Sequence, residues 1–491
     1  MLLIALTILT LSFMALSFTR LDLVLGLIHK QILPEYKLGY EIFIWIYVLV
    51  AIAVFVQILS CHEWFVFDKK KYQGVPILGP VAHRFSLLVQ NKRNIFNFNV
   101  RQITVIALIV GGVFVFLAPS DSTDLYGYMA RGAQQAFFDL NPYHFTVSRI
   151  PEWTQEPLLA NIHKVWAHNP SPYGPLYMAI YKLLAFLSMN NFYLALLLFK
   201  AFNYLVFAGL LFLMTRILND TDLDKDFFQK KFNDARHTFS YKIIIYSLIA
   251  LNPFIMVEAL WNGHNDLLMG FLILLAIYLC YKNKFDWSVI VLTLSILAKY
   301  ISVVFVPFVY FYIFTKPIKS FPFVGSIVSK ILFAVVWYIY NPFAVNFNKI
   351  SYNILLCHKS FQRTVDSIYK FIVGSHMPSF MNLVFLGLFL VFLVYLAYVF
   401  VKSENKRLNL FYFSFLALFA LIFIASAKFH SWYLLMLLPL AVIIHPRLMI
   451  FLSISHLLSL TFLDQANIAN FVVMSAIPCV IYFKYFLKQD L

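Results

Sequence analysis

The sequence predicts an all-α membrane protein, a polytopic helical bundle of about 14 transmembrane helices. Two observations carry that expectation. The 491 residues are 62% hydrophobic and only 12% charged, with a mean hydropathy of +0.80, whereas soluble chains carry about 25% charged residues. The apolar residues also fall into repeated runs of near-span length, separated by short polar turns, as a chain must do when lipid is its solvent.

The first run, "MLLIALTILTLSFMALSF", lacks a basic leader and a convincing small-residue cleavage site, so it reads as an uncleaved span, with a cleaved signal peptide as the alternative. Further candidate spans lie near 41–60, 103–118, 192–215, 243–258, 266–281, 286–299, 300–315, 323–340, 381–401, 409–426, 432–445, 448–464 and 468–486. Orientation follows from Lys and Arg, which collect in cytoplasmic loops. The loops 61–102, with "DKKK" and "NKR", and 216–242 are basic, as are the turns "YKNK", "TKPIK" and "KSENKR". These are placed inside, so 119–191, 259–265, 341–380 and 427–431 face outward. The apolar stretch 174–189, "GPLYMAIYKLLAFLSM", would invert that order if it spanned. It is therefore expected to lie along the outer surface as an interfacial helix, with Tyr177, Tyr181 and Lys182 at headgroup depth.

The net charge of +16 fits anionic headgroups and the positive-inside bias. No basic stretch interleaved with aromatics offers a nucleic-acid groove. The four cysteines, Cys61, Cys280, Cys357 and Cys479, are scattered without metal or redox spacing. Phosphate-loop, dinucleotide and zinc-protease motifs are absent.

The polar residues that remain gather in the outward loops. Directly after the third span comes "SDSTDLYGYMARG", with Asp121, Asp124, Tyr126, Tyr128 and Arg131. A helix beginning near 121 would have Asp121 as its cap, and Asp124, Tyr128 and Arg131 along one face. Asp124 has two readings: a helix-start carboxylate, or a base at the membrane boundary that deprotonates an acceptor hydroxyl. "NPYH" adds Tyr143 and His144, and "SPYGPLY" adds Tyr173. Aromatic faces beside amides and carboxylates suit a sugar, which has an apolar ring face and a hydroxyl edge. "WNGHND" carries His264, Asn265 and Asp266, costly at membrane depth unless paired or functional, though Asn265 or Asp266 could simply cap the next helix. Lys299 in "AKY", Lys359 and Arg363 in "CHKSFQRTVDS", and Lys428, His430 and Trp432 in "AKFHSWY" complete the set. Cations placed outside oppose the positive-inside bias; they either snorkel to headgroups or bind a lipid phosphate.

These motifs, in this order over about 120–442, resemble the GT-C class of integral-membrane glycosyltransferases. They are most similar to the bacterial polyprenol-phosphate-mannose-dependent α-1,6-mannosyltransferases. The resemblance implies a polyprenyl-phosphate sugar donor, a glycolipid or glycan acceptor, and inversion at the anomeric carbon; with a phosphate as leaving group and no cluster of outer carboxylates, no metal or further cofactor is expected. It puts the catalytic base on Asp124, within "DLY", and implies a helix along the membrane after "YGP". It also implies a bacterial cytoplasmic membrane, with the site facing the periplasm or cell exterior. The remaining site residues above are expected to bind substrate, Lys359 and Arg363 on charge and location alone, since "CHKSFQR" matches no motif of the family. The chain divides on this reading into 1–102 (first spans and a basic loop), 103–345 (the GT-C-like catalytic module) and 346–491 (a C-terminal module). The alternative is a secondary transporter or lipid-linked-sugar flippase, which should show inverted repeats; the sequence shows none.

Overall fold

The computed structural model describes residues 99–117, 119, 122–223, 225, 235–340, 361–378, 380–426, 429–462 and 478–480. Every regular element among them is helical. The expected spans 2–18 and 41–60, and nearly all of 468–486, lie outside the described residues.

Helix α1, Val100–Val115, starts at a capping box: the Asn99 side chain accepts from the Gln102 backbone and Gln102 returns the bond. Helix α2 is Asp124–Ala136. Helix α3, Pro175–Leu187, begins with Gly174 as N-cap and proline at N1, where the missing N–H costs nothing. Then come α4, Phe192–Leu218, and α5, Ala235–Ala250. A π-helical turn, Met256–Trp261, precedes α6, Asp266–Tyr281, and α7, Phe285–Ala298. The expected span 300–315 is broken into a 3-10 stretch, Tyr300–Phe305, and α8, Val306–Phe314, with proline at its start. The rest are α9 (Phe323–Tyr340), α10 (Phe361–Val373), α11 (Met381–Lys402), α12 (Lys406–Ala420), α13 (Leu434–Ile444) and α14 (Pro446–Phe462). Helix α10 is an addition to the expected loop 341–380.

Five helical stretches among the described residues are long and apolar enough to cross a membrane: Phe192–Leu218, Tyr241–Trp261, Phe323–Tyr340, Leu383–Lys402 and Lys406–Ala425. Several other apolar helices are shorter, α3 among them.

The chain forms two compact units, one of residues 1–118 and 211–256, the other of 119–210 and 257–491. In the first, α1 packs on α5, and the Thr104 and Tyr246 hydroxyls meet at 2.5 Å. In the second, α2 packs on α3, α6 on α7 and α13, α7 on α9, and α11 on α12. Helix α3, 13 residues long, is amphipathic. Leu183, Phe186 and Leu187 are exposed on one side, while Tyr177, Met178, Tyr181 and Ala185 are buried on the other. The tyrosines expected at headgroup depth thus face inward, onto α2, and apolar side chains hold the outer face instead. Lys182 is exposed.

The two ends of the second unit's helices differ in chemistry. At one end Arg407, at the start of α12, donates to the Tyr281 carbonyl at 3.2 Å and lies 4.0 Å over its ring. At the other end the start of α2, the start of α6, the end of α7 and the segment before α13 converge.

Candidate active site

Asp124 is the first residue of α2, with Thr123 at the cap position and Ser122 Oγ accepting from the Asp124 N–H at 3.2 Å. The helix therefore starts three residues later than the sequence predicts, and Asp121 lies outside the described residues. A carboxylate in the first turn is favoured by the helix dipole. Its side chain is 19% exposed, and Oδ2 lies 3.7 Å from Nδ1 of His264.

His264 is fully buried, and its other nitrogen, Nε2, lies 3.4 Å from Oε2 of Glu258. Its ring stacks on Trp432 at 4.0 Å, and His430 stacks on Trp432 at 4.2 Å. Burial, and then the Lys299 ammonium, pushes the imidazole well below its ordinary value, so His264 is neutral. Gly263 makes this approach feasible. Its φ of +78° suits glycine, and a Cβ there would sit 3.0 Å from Leu125, the neighbour of Asp124. Asn203, on α4, donates to the carbonyls of Ala259 and His264 and holds the turn from behind.

Asn265 stands at the cap position of α6, but its side chain does not cap. Its amide donates to the Tyr181 hydroxyl, and the Tyr177 hydroxyl donates to its carbonyl, each at 2.5 Å. Asp266, in the first turn, pairs with Lys299. Lys299 Nζ also lies 5.2 Å from the Tyr433 ring centre. Gly174 supplies the register: its N–H donates to Ala298 O at 3.0 Å, and a Cβ would collide with Leu297 O. The "YGP" turn and the "AKY" helix end therefore fit only through this glycine.

Tyr128 stacks on Tyr181 at 5.1 Å and meets Tyr173 edge-on at 5.1 Å. Burial, followed by the Asp124 carboxylate, raises the Tyr173 phenol well above its ordinary value, so it stays protonated as a donor. Tyr143 is buried, and its hydroxyl donates to the Tyr173 carbonyl at 2.7 Å.

Other sequence-predicted residues have different surroundings. Tyr126 stacks on Phe192 at 6.1 Å. Arg131 is buried and turns into the loop that follows α2, donating to Gln134 Oε1 at 3.1 Å, to Trp166 O at 2.7 Å and to Asn169 O. His144 is exposed on the loop. Lys359 and Lys428 lie outside the described residues, as does the side chain of Arg363. Buried polar residues of the site that were not singled out in the sequence include Asn203, inside an apolar span, Glu258, Asn262 and Ser431. Glu258 carries the signal that could have found it, a lone carboxylate within an apolar run ahead of "WNGHND".

A family model described as "Alpha-(1->6)-mannopyranosyltransferase, N-terminal domain" matches residues 78–315. That stretch contains Asp124, Glu258, His264, Asp266 and Lys299. The chain resembles the α-(1→6)-mannosyltransferases. Two curated relatives, each named Alpha-(1->6)-mannopyranosyltransferase A, agree. One, from Corynebacterium glutamicum, is 24% identical over 207 residues, 42% of this chain and 37% of the relative. The other, from Mycobacterium tuberculosis, is 24% identical over 211 residues, 43% of this chain and 36% of the relative. The match thus spans little more than a third of the length of these relatives. No solved structure matches.

Proposed function

We propose that the protein is a membrane mannosyltransferase that moves mannose from a polyprenyl-phosphate donor to a glycolipid or glycan acceptor, with inversion, at the outer face of a bacterial cytoplasmic membrane. The observation that carries this reading is the position of Asp124: partly exposed at a helix start, beside His264, with the Asp266–Lys299 pair on neighbouring helix ends. The similarity to α-(1→6)-mannosyltransferases supports the sugar.

In this scheme Asp124 accepts the proton of an acceptor hydroxyl. The oxygen forms a bond to the anomeric carbon from the face opposite the phosphate, and the carbon–oxygen bond to the phosphate breaks with its electron pair. The leaving group is a phosphate, so a cation can stabilise it without a general acid. Lys299 and His430 are the described candidates; Lys359, Arg363 and Lys428 are the undescribed ones. Tyr126, Tyr173 and Trp432, which are half-buried, are the aromatic candidates for contact with the sugar.

The test is transfer of labelled mannose from mannosyl polyprenyl phosphate by the purified protein and by Asp124→Asn. The parent is expected to transfer, and the variant to be slower by roughly 10²-fold or more. A fully active Asp124→Asn enzyme would remove the base from this position. The outward orientation has its own check: in intact cells, cysteine placed at Ser148 should label with a membrane-impermeant reagent and cysteine at Ser240 should not.

A further inference from the structure

The base proposed above has a second carboxylate behind it. Glu258 is 1% exposed and lies on the π-helical turn, on the far side of His264 from Asp124. Its Oε1 accepts from Ser431 Oγ at 3.1 Å and its Oε2 from Asn262 Nδ2 at 3.2 Å. Two donors aimed at one carboxyl favour its ionised form. An ionised Glu258 beside Nε2 directs the single proton of a neutral imidazole to that nitrogen. The Nδ1 lone pair then faces Asp124. Neither ring nitrogen makes a hydrogen bond of good geometry at rest, so the ring is held by stacking on Trp432 and by its backbone, close to both carboxylates without being locked to either.

Resting on the reading of Asp124 as the base, we infer that His264 stores the acceptor's proton during transfer and that Glu258 is the counter-charge that permits it. Asp124 takes the hydroxyl proton and passes it to Nδ1: the O–H bond on Asp124 breaks, an N–H bond forms on His264, and the Asp124 carboxylate is regenerated. The imidazolium then lies between two carboxylates and against the face of an indole, which attracts a cation. The proton returns to solvent when the products leave. An imidazole ordinarily holds a proton more tightly than a carboxylate; burial and Lys299 reduce that hold, so the proton stays on His264 only while the two carboxylates flank it and is given up readily afterwards.

The charged and titratable groups around the ring divide by element. Asp124 approaches from α2, Glu258 from the π-helical turn, and Lys299, paired with Asp266 of α6, from the end of α7. His430 lies across Trp432, ahead of α13. The two carboxylates favour the stored proton; burial and Lys299 oppose it and keep the ring neutral between turnovers. Both His264 and Glu258 act through Asp124 and are positioning residues.

The experiment compares pH profiles of mannose transfer from radiolabelled mannosyl polyprenyl phosphate, with the full chain in nanodiscs, for the parent, Glu258→Gln, Glu258→Asp, His264→Gln and Asp124→Asn. Glu258→Gln is expected to lower kcat about tenfold or more with donor KM unchanged. Its acidic limb should move to lower pH, because the imidazolium loses its counter-charge. Glu258→Asp should recover part of both. His264→Gln should show the same fall, with a limb that belongs to Asp124 alone. Parental kcat and limb in Glu258→Gln or in His264→Gln, beside an inactive Asp124→Asn, would overturn the proton store and leave the base in place. Parental kcat in Asp124→Asn would remove the base itself. If Glu258→Gln fails to fold, His264→Gln decides alone.

Discussion

Arg131 and His264 are both buried polar side chains of the second unit, and they stand in opposite conditions. Three hydrogen bonds hold the Arg131 guanidinium, two of them to carbonyls of the loop near Trp166 and Asn169. The His264 nitrogens face carboxylates at 3.4 and 3.7 Å without a matched bond. A satisfied buried cation fastens a loop; a buried ring left between two carboxylates has capacity to take up a proton. Buried polar groups are nearly always bonded, so the exceptions point to function. Asn265 Oδ1 and Asp266 Oδ2 are two further exceptions, and both flank His264.

The largest expected effect tests the His264 side of that contrast. Asp124→Asn should cut transfer by roughly 10²-fold or more while the melting temperature stays near the parent's, since the amide keeps the shape. A large loss of stability would place Asp124 with Arg131, among the structural groups. The reverse is expected of Arg131→Ala. It strands two loop carbonyls and should destabilise the fold by about 3 kcal/mol, read by thermal unfolding, with little change in kcat of the folded fraction. A raised donor KM at parental stability would return Arg131 to the site.

Lys299 stands between the two conditions: it is paired with Asp266, yet its side chain is 17% exposed. Lys299→Gln keeps a donor for Asp266 and removes the charge. Donor KM should rise about tenfold if the ammonium holds phosphate, since a charged hydrogen bond is worth roughly 1.5–3 kcal/mol. An unchanged KM would make the pair purely structural. The smallest effect belongs to Tyr181→Phe, which loses only the bond from Asn265 while keeping the ring stack. About 1 kcal/mol of stability should disappear, with transfer nearly intact.

The bundle was legible along the chain because a spanning helix is a local property: a run of apolar residues ended by charge. The limits of α6, α7, α9 and α11 follow those runs within a residue. The α3 segment was legible as a helix from its "YGP" start. Its inner face was not, because a tyrosine suits headgroups and a stacked core equally well until α2 is seen against it. The site shows the same division. Local chemistry picked out Asp124, His264, Asp266 and Lys299, since charges beside apolar runs need a reason. It could not pair Asp266 with Lys299, 33 positions apart, or turn Arg131 from the site into its own loop. Least of all could it bring Ser431 to Glu258 across 173 positions of chain. Sequence alone determined which segments are apolar helices and which polar groups beside them are too costly to be idle. Tertiary structure decided which of them are satisfied, because a hydrogen bond depends on the distance and angle of its partner, and those partners come from helix ends that only the packing brings together.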